Sequence, residues 1–300
     1  MSRQSNGICN VCGSDDVKKL FSNKDYTVSN ELFDILTCNN CAFTWTHNPP
    51  NSEEIGKYYI SEDYISHSDV KESFRDKIYH FARWFMLNRK CKLVNKFSKS
   101  KQGLMIDIGC GTGYFLNAMQ QRGWETLGFE PSADARRVAK MNFNIDVLPS
   151  NELPNFTKKV DVVTMWHVLE HIHDLSGYLN KIKDMLNESG LFVVAVPNIS
   201  SYDANLYKSE WAAIDAPRHL WHFNTGSISQ LLDKHGFCIE EYYRMPLDAF
   251  YVSMLSQKNI SHKINWFKVL KDGIIGLMKS ITNKDASSSL IYLIRKKGTV

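Results

Sequence analysis

Four groups of residues in this 300-residue chain have the types and spacing to do chemistry. The first is Asp107, Gly109, Cys110, Gly111 and Gly113, followed seventeen residues after Gly113 by Glu130. Glycines closing a short apolar run let the backbone turn sharply and approach a ligand closely. The free N–H groups of a following helix point at the same spot. An acid at the tip of the next strand is placed to accept hydrogen bonds from both ribose hydroxyls of an adenosine ligand. The second group is Cys9, Cys12, Cys38 and Cys41, two C-x-x-C pairs separated by 25 residues. Four thiolates close a tetrahedral shell around a structural zinc ion and leave no open position for catalysis. The third is His167, Glu170 and His171, whose spacings of three and four share one face of a helical turn. The fourth is Asp215, Arg218, His219 and His222, in the aromatic-rich stretch 198–224. There His219 is suited to taking a proton from a hydroxyl, with Asp215 to orient it and Arg218 to hold an anionic acceptor.

The elements that must position these groups follow from periodicity. The run 104–108 reads as a buried parallel strand, 114–122 as a helix and 126–129 as a second strand delivering Glu130. Strand and helix then alternate: a helix over 131–142, strands at 146–148, 160–165 and 191–198, and a helix over 176–187 stopped before Gly190. A helix over 227–235, a strand over 238–244 and an antiparallel edge strand over 289–295 complete an α/β sheet, with Lys296 and Lys297 at a solvated end. Short strands at 26–28 and 33–37 belong to a zinc-ribbon-like module over 1–50, too small for a large core, so that the metal would supply much of its folding energy. A helical cap and linker over 51–100 carries Tyr58, Tyr59, Tyr64 and His67, either as packing or as a lid with hydroxyls for a substrate pocket. The catalytic domain spans 101–300, interrupted by an insertion at 246–288. Its helix sets Phe267, Leu270, Ile274, Leu277, Met278 and Ile281 against Lys268, Lys271 and Lys279, a pattern that covers a core or lies on an anionic membrane.

Composition sets the class. Hydrophobic content of 43% and charged content of 23% suit a globular chain with a core. A net charge of +4 without a basic run does not call for nucleic acid. No stretch reaches the roughly 18 apolar residues of a membrane span, and the first residues lack the apolar segment of a secretory signal. A cytoplasmic protein is expected.

The glycine spacing narrows the ligand. A dinucleotide fingerprint requires G-x-G-x-x-G, and here Tyr114 or Leu116 occupies the third glycine's place. An acid before G-x-G-x-G resembles the S-adenosylmethionine (SAM) site of class I methyltransferases, whose Rossmann-like seven-stranded sheet is flanked by helices. The resemblance implies that the glycine loop with Cys110 faces the methionine part, Asp107 holds the amino group and Glu130 the ribose. Asn151, after the third strand, and His167 would contact the rest of the cofactor. The Glu170-His171 pair is similar to the ubiquinone-pathway O-methyltransferases and the small-RNA 2′-O-methyltransferases. There a Glu-x-x-Glu-His run and a later histidine hold a divalent metal; here His167 replaces the first glutamate, and His219 or His222 supplies the later one. A cysteine-rich N-terminal module also resembles deoxysugar C-methyltransferases. The expected activity is methylation of a small-molecule, glycan or lipid-linked acceptor at oxygen, with His219 or His167 as base. Sugar C-methylation, or SAM binding without catalysis and with the ribbon for partner recognition, are the alternatives.

Overall fold

The computed structural model describes residues 7–60, 74–100, 102–261 and 263–298. The chain opens with three antiparallel strands, β1 (Val17–Lys24), β2 (Leu32–Cys38) and β3 (Thr44–Thr46). The strand expected at 26–28 is instead the turn between β1 and β2. The Asp25 carboxylate accepts from the backbone N–H groups of Thr27, Val28 and Ser29 at 3.0, 3.3 and 2.7 Å, so those amides have no ladder to join. A turn in which the Asn51 side chain accepts from the Glu53 and Glu54 N–H groups then leads into a short 3₁₀ helix, Ile55–Tyr59. Tyr64 and His67 lie outside the described residues.

Helix α1 (Phe74–Phe97) leads into the main sheet. Strand and helix then alternate through β4 (Leu104–Ile108), α2 (Tyr114–Gln120), β5 (Glu125–Phe129), α3 (Ala133–Phe143), β6 (Val147–Leu148), β7 (Val160–Trp166), α4 (Leu175–Met185) and β8 (Leu186–Pro197). Strands β4 to β8 pair in parallel, and their near-continuous apolar runs are buried because helices cover both faces. The stretch after β8 contains α5 (Tyr202–Tyr207) and a two-residue strand, β9 (Trp221–His222). Then come α6 (Thr225–Lys234), β10 (Phe237–Arg244), α7 (Asp248–Ser261), α8 (Trp266–Thr282) and β11 (Ser289–Lys296).

The seven-stranded order is β10-β11-β8-β7-β4-β5-β6. This corrects the expectation of an edge position for the last strand. β11 pairs antiparallel with both β10 and β8, all eight of its residues are buried, and β10 takes the edge. Lys296 is accordingly not at a solvated end: it is 6% exposed, with Nζ 3.1 Å from Glu188. Gly190 ends no helix. It lies inside β8, which starts at Leu186 directly after α4.

The cysteine module is built into this body. β3 pairs antiparallel with β9, Thr44 opposite His222 and Trp45 opposite Trp221, so the module's fourth strand comes from the stretch after β8. Phe43 stacks on Trp221 with ring centroids 5.6 Å apart and belongs to the same core as Ile106, Ile108 and Met165 of the main sheet. Arg218 locks the junction. Its guanidinium, 4% exposed, makes a two-pronged ion pair with Asp215 and donates to Asp25 Oδ1 at 3.1 Å, Thr27 Oγ1 at 3.0 Å and the Tyr58 carbonyl at 2.9 Å. Those bonds use the donor fork that an acceptor would need, so Arg218 is structural, not the anion binder expected from sequence.

Removing one side of such an array strands buried charge. Arg218→Met leaves the Asp25 and Asp215 carboxylates without their cation, and we expect a loss of about 3–5 kcal/mol in denaturant unfolding. A loss within about 0.5 kcal/mol, the range of an ordinary surface change, would contradict this role.

Candidate active site

The glycine loop joins the C-terminal end of β4 to the start of α2 and lies against the end of β5, where the Gly109 N–H donates to the Phe129 carbonyl at 2.7 Å. Gly109, Gly111 and Gly113 all have positive φ (71°, 54° and 81°), the region that favours glycine. At Gly109 a Cβ would also lie 2.4 Å from a Val168 methyl group. Glu130 emerges at the tip of β5 and bridges the loop: Oε2 accepts from the Gly111 N–H and Oε1 from the Ser132 N–H, both at 2.9 Å. Cys110 is buried against Gly128, and burial pushes its thiol well up. Asn151 is exposed in a 3₁₀ turn (Ser150–Asn155) after β6.

Asp107, 2% exposed within β4, accepts from Thr164 Oγ1 on β7 at 2.6 Å. Burial raises its carboxyl to about 7, against the pull of Thr164 and the charge of Lys90. Lys90, on α1, sets its Nζ 4.3 Å above the Trp166 ring, and burial lowers its ammonium pKa while Asp107 and Asp248 hold it up. Neither Thr164 nor Lys90 stands out in the sequence. A lone threonine in a strand and a lone lysine in a helix carry no spacing signal, and only the sheet order and the helix packing bring them to Asp107.

Beyond β7 lies an alternating row of acids and bases. His167 has φ of 58°, uncommon for a residue with a side chain. Its Nε2 is 3.5 Å from Asp248 Oδ2 and its Nδ1 3.5 Å from Glu170 Oε1. Burial opposes charge on this ring, but the two carboxylates outweigh it and raise the imidazole to about 9. His167 is therefore an imidazolium at neutral pH and unsuited to be the base expected of it. Glu170 is fully buried, and neither carboxylate oxygen has a hydrogen-bond partner among the described residues. His171 and His219 meet edge to face, with centroids 4.6 Å apart, and ligand atoms of Glu170, His171 and His219 all lie within 4.8 Å of one another. Burial, then the neighbouring His219, lowers His171 to about 4, so it is a neutral ring. Its Nδ1 is 2.9 Å from the Arg218 carbonyl and 3.0 Å from Tyr59 Oη.

His219 places Nδ1 2.9 Å from the Ala213 carbonyl. Donation from Nδ1–H leaves Nε2 with its lone pair. Asp215 Oδ2 is 4.0 Å from Nε2, too far for a hydrogen bond, so the Ala213 carbonyl orients the ring and Asp215 supplies charge. His222 does not join the cluster. It is 4% exposed inside the four-stranded sheet, its Nε2 3.1 Å from Thr46 Oγ1, so the later histidine of the group is His219. Asp248, at the start of α7, was not singled out in the sequence, because the insertion reads only as an amphipathic segment.

His167, Glu170, Asp215, His219 and Asp248 line a cavity of ≈ 740 Å³. One wall carries His167, Glu170, Asp215 and His219; Asn23, Lys24 and Tyr26 come from the cysteine module, Met86 and Lys90 from α1, and Tyr251, Leu255 and Lys258 from α7. Tyr58 is instead a buried packing residue, its hydroxyl donating to Glu31. In the cysteine module, ligand atoms of Cys9, Cys12, Cys38 and Cys41 lie within 4.8 Å of one another, with Sγ···Sγ separations of 3.4 Å (Cys9, Cys41) and 3.5 Å (Cys12, Cys38). Sulfurs at about 2.3 Å from a tetrahedral zinc lie roughly 3.8 Å apart, so the quartet fits such an ion.

The comparisons with known proteins agree with this architecture. The family model described as a methyltransferase domain matches residues 80–242, more than half of the chain. Among curated relatives, a ubiquinone biosynthesis O-methyltransferase of Rhodopseudomonas palustris is 28% identical over 151 residues, covering 46% of this chain and 60% of that protein. A probable S-adenosylmethionine-dependent methyltransferase of Mycolicibacterium smegmatis is 24% identical over 164 residues, covering 53% of this chain and 59% of its own length. The chain thus spans about three fifths of the length of these relatives. Among solved structures, the magnesium protoporphyrin IX methyltransferase of Synechocystis with bound SAH superposes with a TM-score of 0.51 at 13% identity, covering 77% of this chain and 91% of that one. Such low identity shows the fold alone, while the family model spans the glycine loop, Glu130 and the stretch from His167 to His219. The chain belongs to the methyltransferase-domain family.

Proposed function

We propose that this enzyme methylates the oxygen of a hydroxylated small-molecule acceptor bound in the 740 Å³ cavity. The observation that carries the reading is His219, a ring on the cavity wall held through Nδ1, with no hydrogen bond at Nε2 among the described residues. The O-methyltransferase named among the relatives supports oxygen as the methylated atom.

In this reading Glu130 releases its bonds to the loop amides to receive the ribose hydroxyls, Asp107 holds the SAM ammonium, and Lys90 faces the carboxylate. Asn151 lies along the adenine. Gly109, Gly111 and Gly113 let the methionine part approach the backbone, with Cys110 beneath them. His167, held as an imidazolium between Asp248 and Glu170, fixes the acceptor side of the cavity. The acceptor hydroxyl loses its proton to His219 Nε2 as its oxygen attacks the sulfonium methyl in line. A C–O bond forms, the C–S bond breaks, and S-adenosylhomocysteine leaves with the sulfur electron pair. Alignment and exclusion of water supply most of the catalysis, and the base contributes about 10²–10⁴-fold.

A second reading rests on the Glu170 oxygens, which are buried and have no hydrogen-bond partner among the described residues. Glu170, His171 and His219 form a donor set that fits a divalent cation. Bound there, the cation would lower the acceptor's pKa and orient its oxygen, and His219 would be a ligand instead of the base. In the cysteine module the Cys quartet holds a structural zinc.

The deciding experiment follows methyl-labelled SAM into acceptor pools of a fractionated extract, with and without a chelator that spares the Cys quartet. We expect label in a hydroxylated small-molecule fraction, and His219→Ala should cut turnover about 100-fold or more with SAM affinity unchanged. Full activity of His219→Ala would remove it as base, and loss of wild-type label with chelator would favour the cation. SAM affinity should also follow Asp107. Because burial raises its carboxyl to about 7, the ammonium-binding carboxylate form is lost as pH falls. Calorimetry should show the dissociation constant rising by up to about tenfold per pH unit below 7, with a weak and flat profile for Asp107→Asn. An unchanged profile in that variant would refute the assignment. Finally, purified protein should carry a zinc ion that Cys12→Ser releases, read by elemental analysis; full zinc retention would place the metal elsewhere.

A further inference from the structure

Helix α8 is turned the wrong way round for a helix that covers a core. Its buried residues are Val269, Asp272, Gly273, Gly276 and Ser280. These mostly small side chains seat it tightly on α7 and α5: a Cβ at Gly273 would lie 2.4 Å from the Phe250 ring, and Gly276 faces Ala249 and Tyr202. The large apolar residues face outward. Phe267 is 79% exposed, Met278 62%, Ile281 61%, Leu270 55% and Ile274 49%. Spacings of three and four place all five in one stripe along the helix. Of the two outcomes the sequence allows, covering a core is thus excluded for this face among the described residues.

The charges around the stripe say what covers it. Between Asp248 and Asp285 the only acid is Asp272. That acid is buried and accepts from the Tyr207 hydroxyl at 2.7 Å. Lys263, Lys268, Lys271 and Lys279 are exposed on or beside α8. Trp266, half exposed, opens the helix, as suits a side chain that favours the headgroup level. A second copy of the chain is the poorer occupant. A helix of 17 residues is about 25 Å long, and a strip that size falls well short of the roughly 800 Å² per partner of a stable interface. Self-pairing would also bring the two lysine rows together. No helix among the described residues is long and apolar enough to cross a membrane.

We propose that α8 docks the enzyme on an anionic lipid surface, its apolar stripe in the headgroup–acyl boundary and its lysines on the lipid phosphates. This goes beyond the methyl-transfer reading and does not depend on it. Its consequence for that reading is geometric. α7 both packs against α8 and contributes Tyr251, Leu255 and Lys258 to the cavity, so docking sets the cavity beside the bilayer.

The test is co-sedimentation of the full chain with phosphatidylcholine vesicles, with and without phosphatidylglycerol. We expect binding to the phosphatidylglycerol vesicles that weakens with salt. Replacing Phe267, Ile274 and Met278 with serine together should lower partitioning by about 1,000-fold, at about tenfold for each large apolar side chain. Lys268→Glu with Lys271→Glu should abolish the preference for anionic lipid. Retained SAM binding in each variant shows that the fold is intact. Wild type that stays in the supernatant with every vesicle would overturn the proposal. So would a wild-type dimer in sedimentation velocity that the triple serine variant loses, with no vesicle binding in either. Equal, salt-insensitive binding to both vesicle types would overturn the anionic surface.

Discussion

A buried guanidinium stands at the centre of the connection between the two parts of this molecule. Arg218 reaches Asp215 in the stretch after β8, Asp25 and Thr27 in the cysteine module, and the Tyr58 carbonyl in the segment between them. Desolvating a guanidinium is tolerable only when its donors are satisfied and its charge is balanced. Two carboxylates do the balancing, and Asp25 itself is satisfied by the turn it organises. The position of His219, next in the chain, depends on this. Its carbonyl accepts from Thr46 of β3 at 2.7 Å, so the ring on the cavity wall is held from the module side.

The same logic runs through the active site as a row: Asp248, His167, Glu170, then His171 and His219, then Asp215 and Arg218. Each member stands beside a group of opposite sign or a polarisable ring. The arrangement separates the histidines by role. One is charged between carboxylates, another is kept neutral by burial, and His219 sits on the cavity wall, held by its Nδ1 at the Ala213 carbonyl. Chemically identical rings thus acquire different protonation from their neighbours.

What was legible in the sequence is what is local. The glycine loop, Glu130 and the two cysteine pairs each declare themselves within a short window, because tight turns, strand tips and metal knuckles are built from consecutive residues. Glu170 and His171 are also local. Their partner histidine was not: His219 and His222 look equivalent in sequence, and only the pairing of β9 with β3 turns His222 inward. Lys90, Thr164 and Asp248 stayed invisible for the same reason. The interior place of β11 depends on where the two helices of the insertion return the chain. The role of Arg218 reversed because its partner Asp25 lies 193 residues away.

The pairing of β3 with β9 has a consequence for how the chain acquires its structure. Thr46 and His222 touch across 176 residues of sequence. A strand near the start must therefore wait for a partner made much later, and its ladder closes only after the central strands between them exist. Contacts of such separation are slow to form because a long loop must be closed first. During synthesis, β1 to β3 would emerge as a three-stranded fragment with Phe43 and Trp45 uncovered. A metal held by the Cys quartet would hold that fragment together over the interval, a service to assembly separate from any contribution to the finished enzyme.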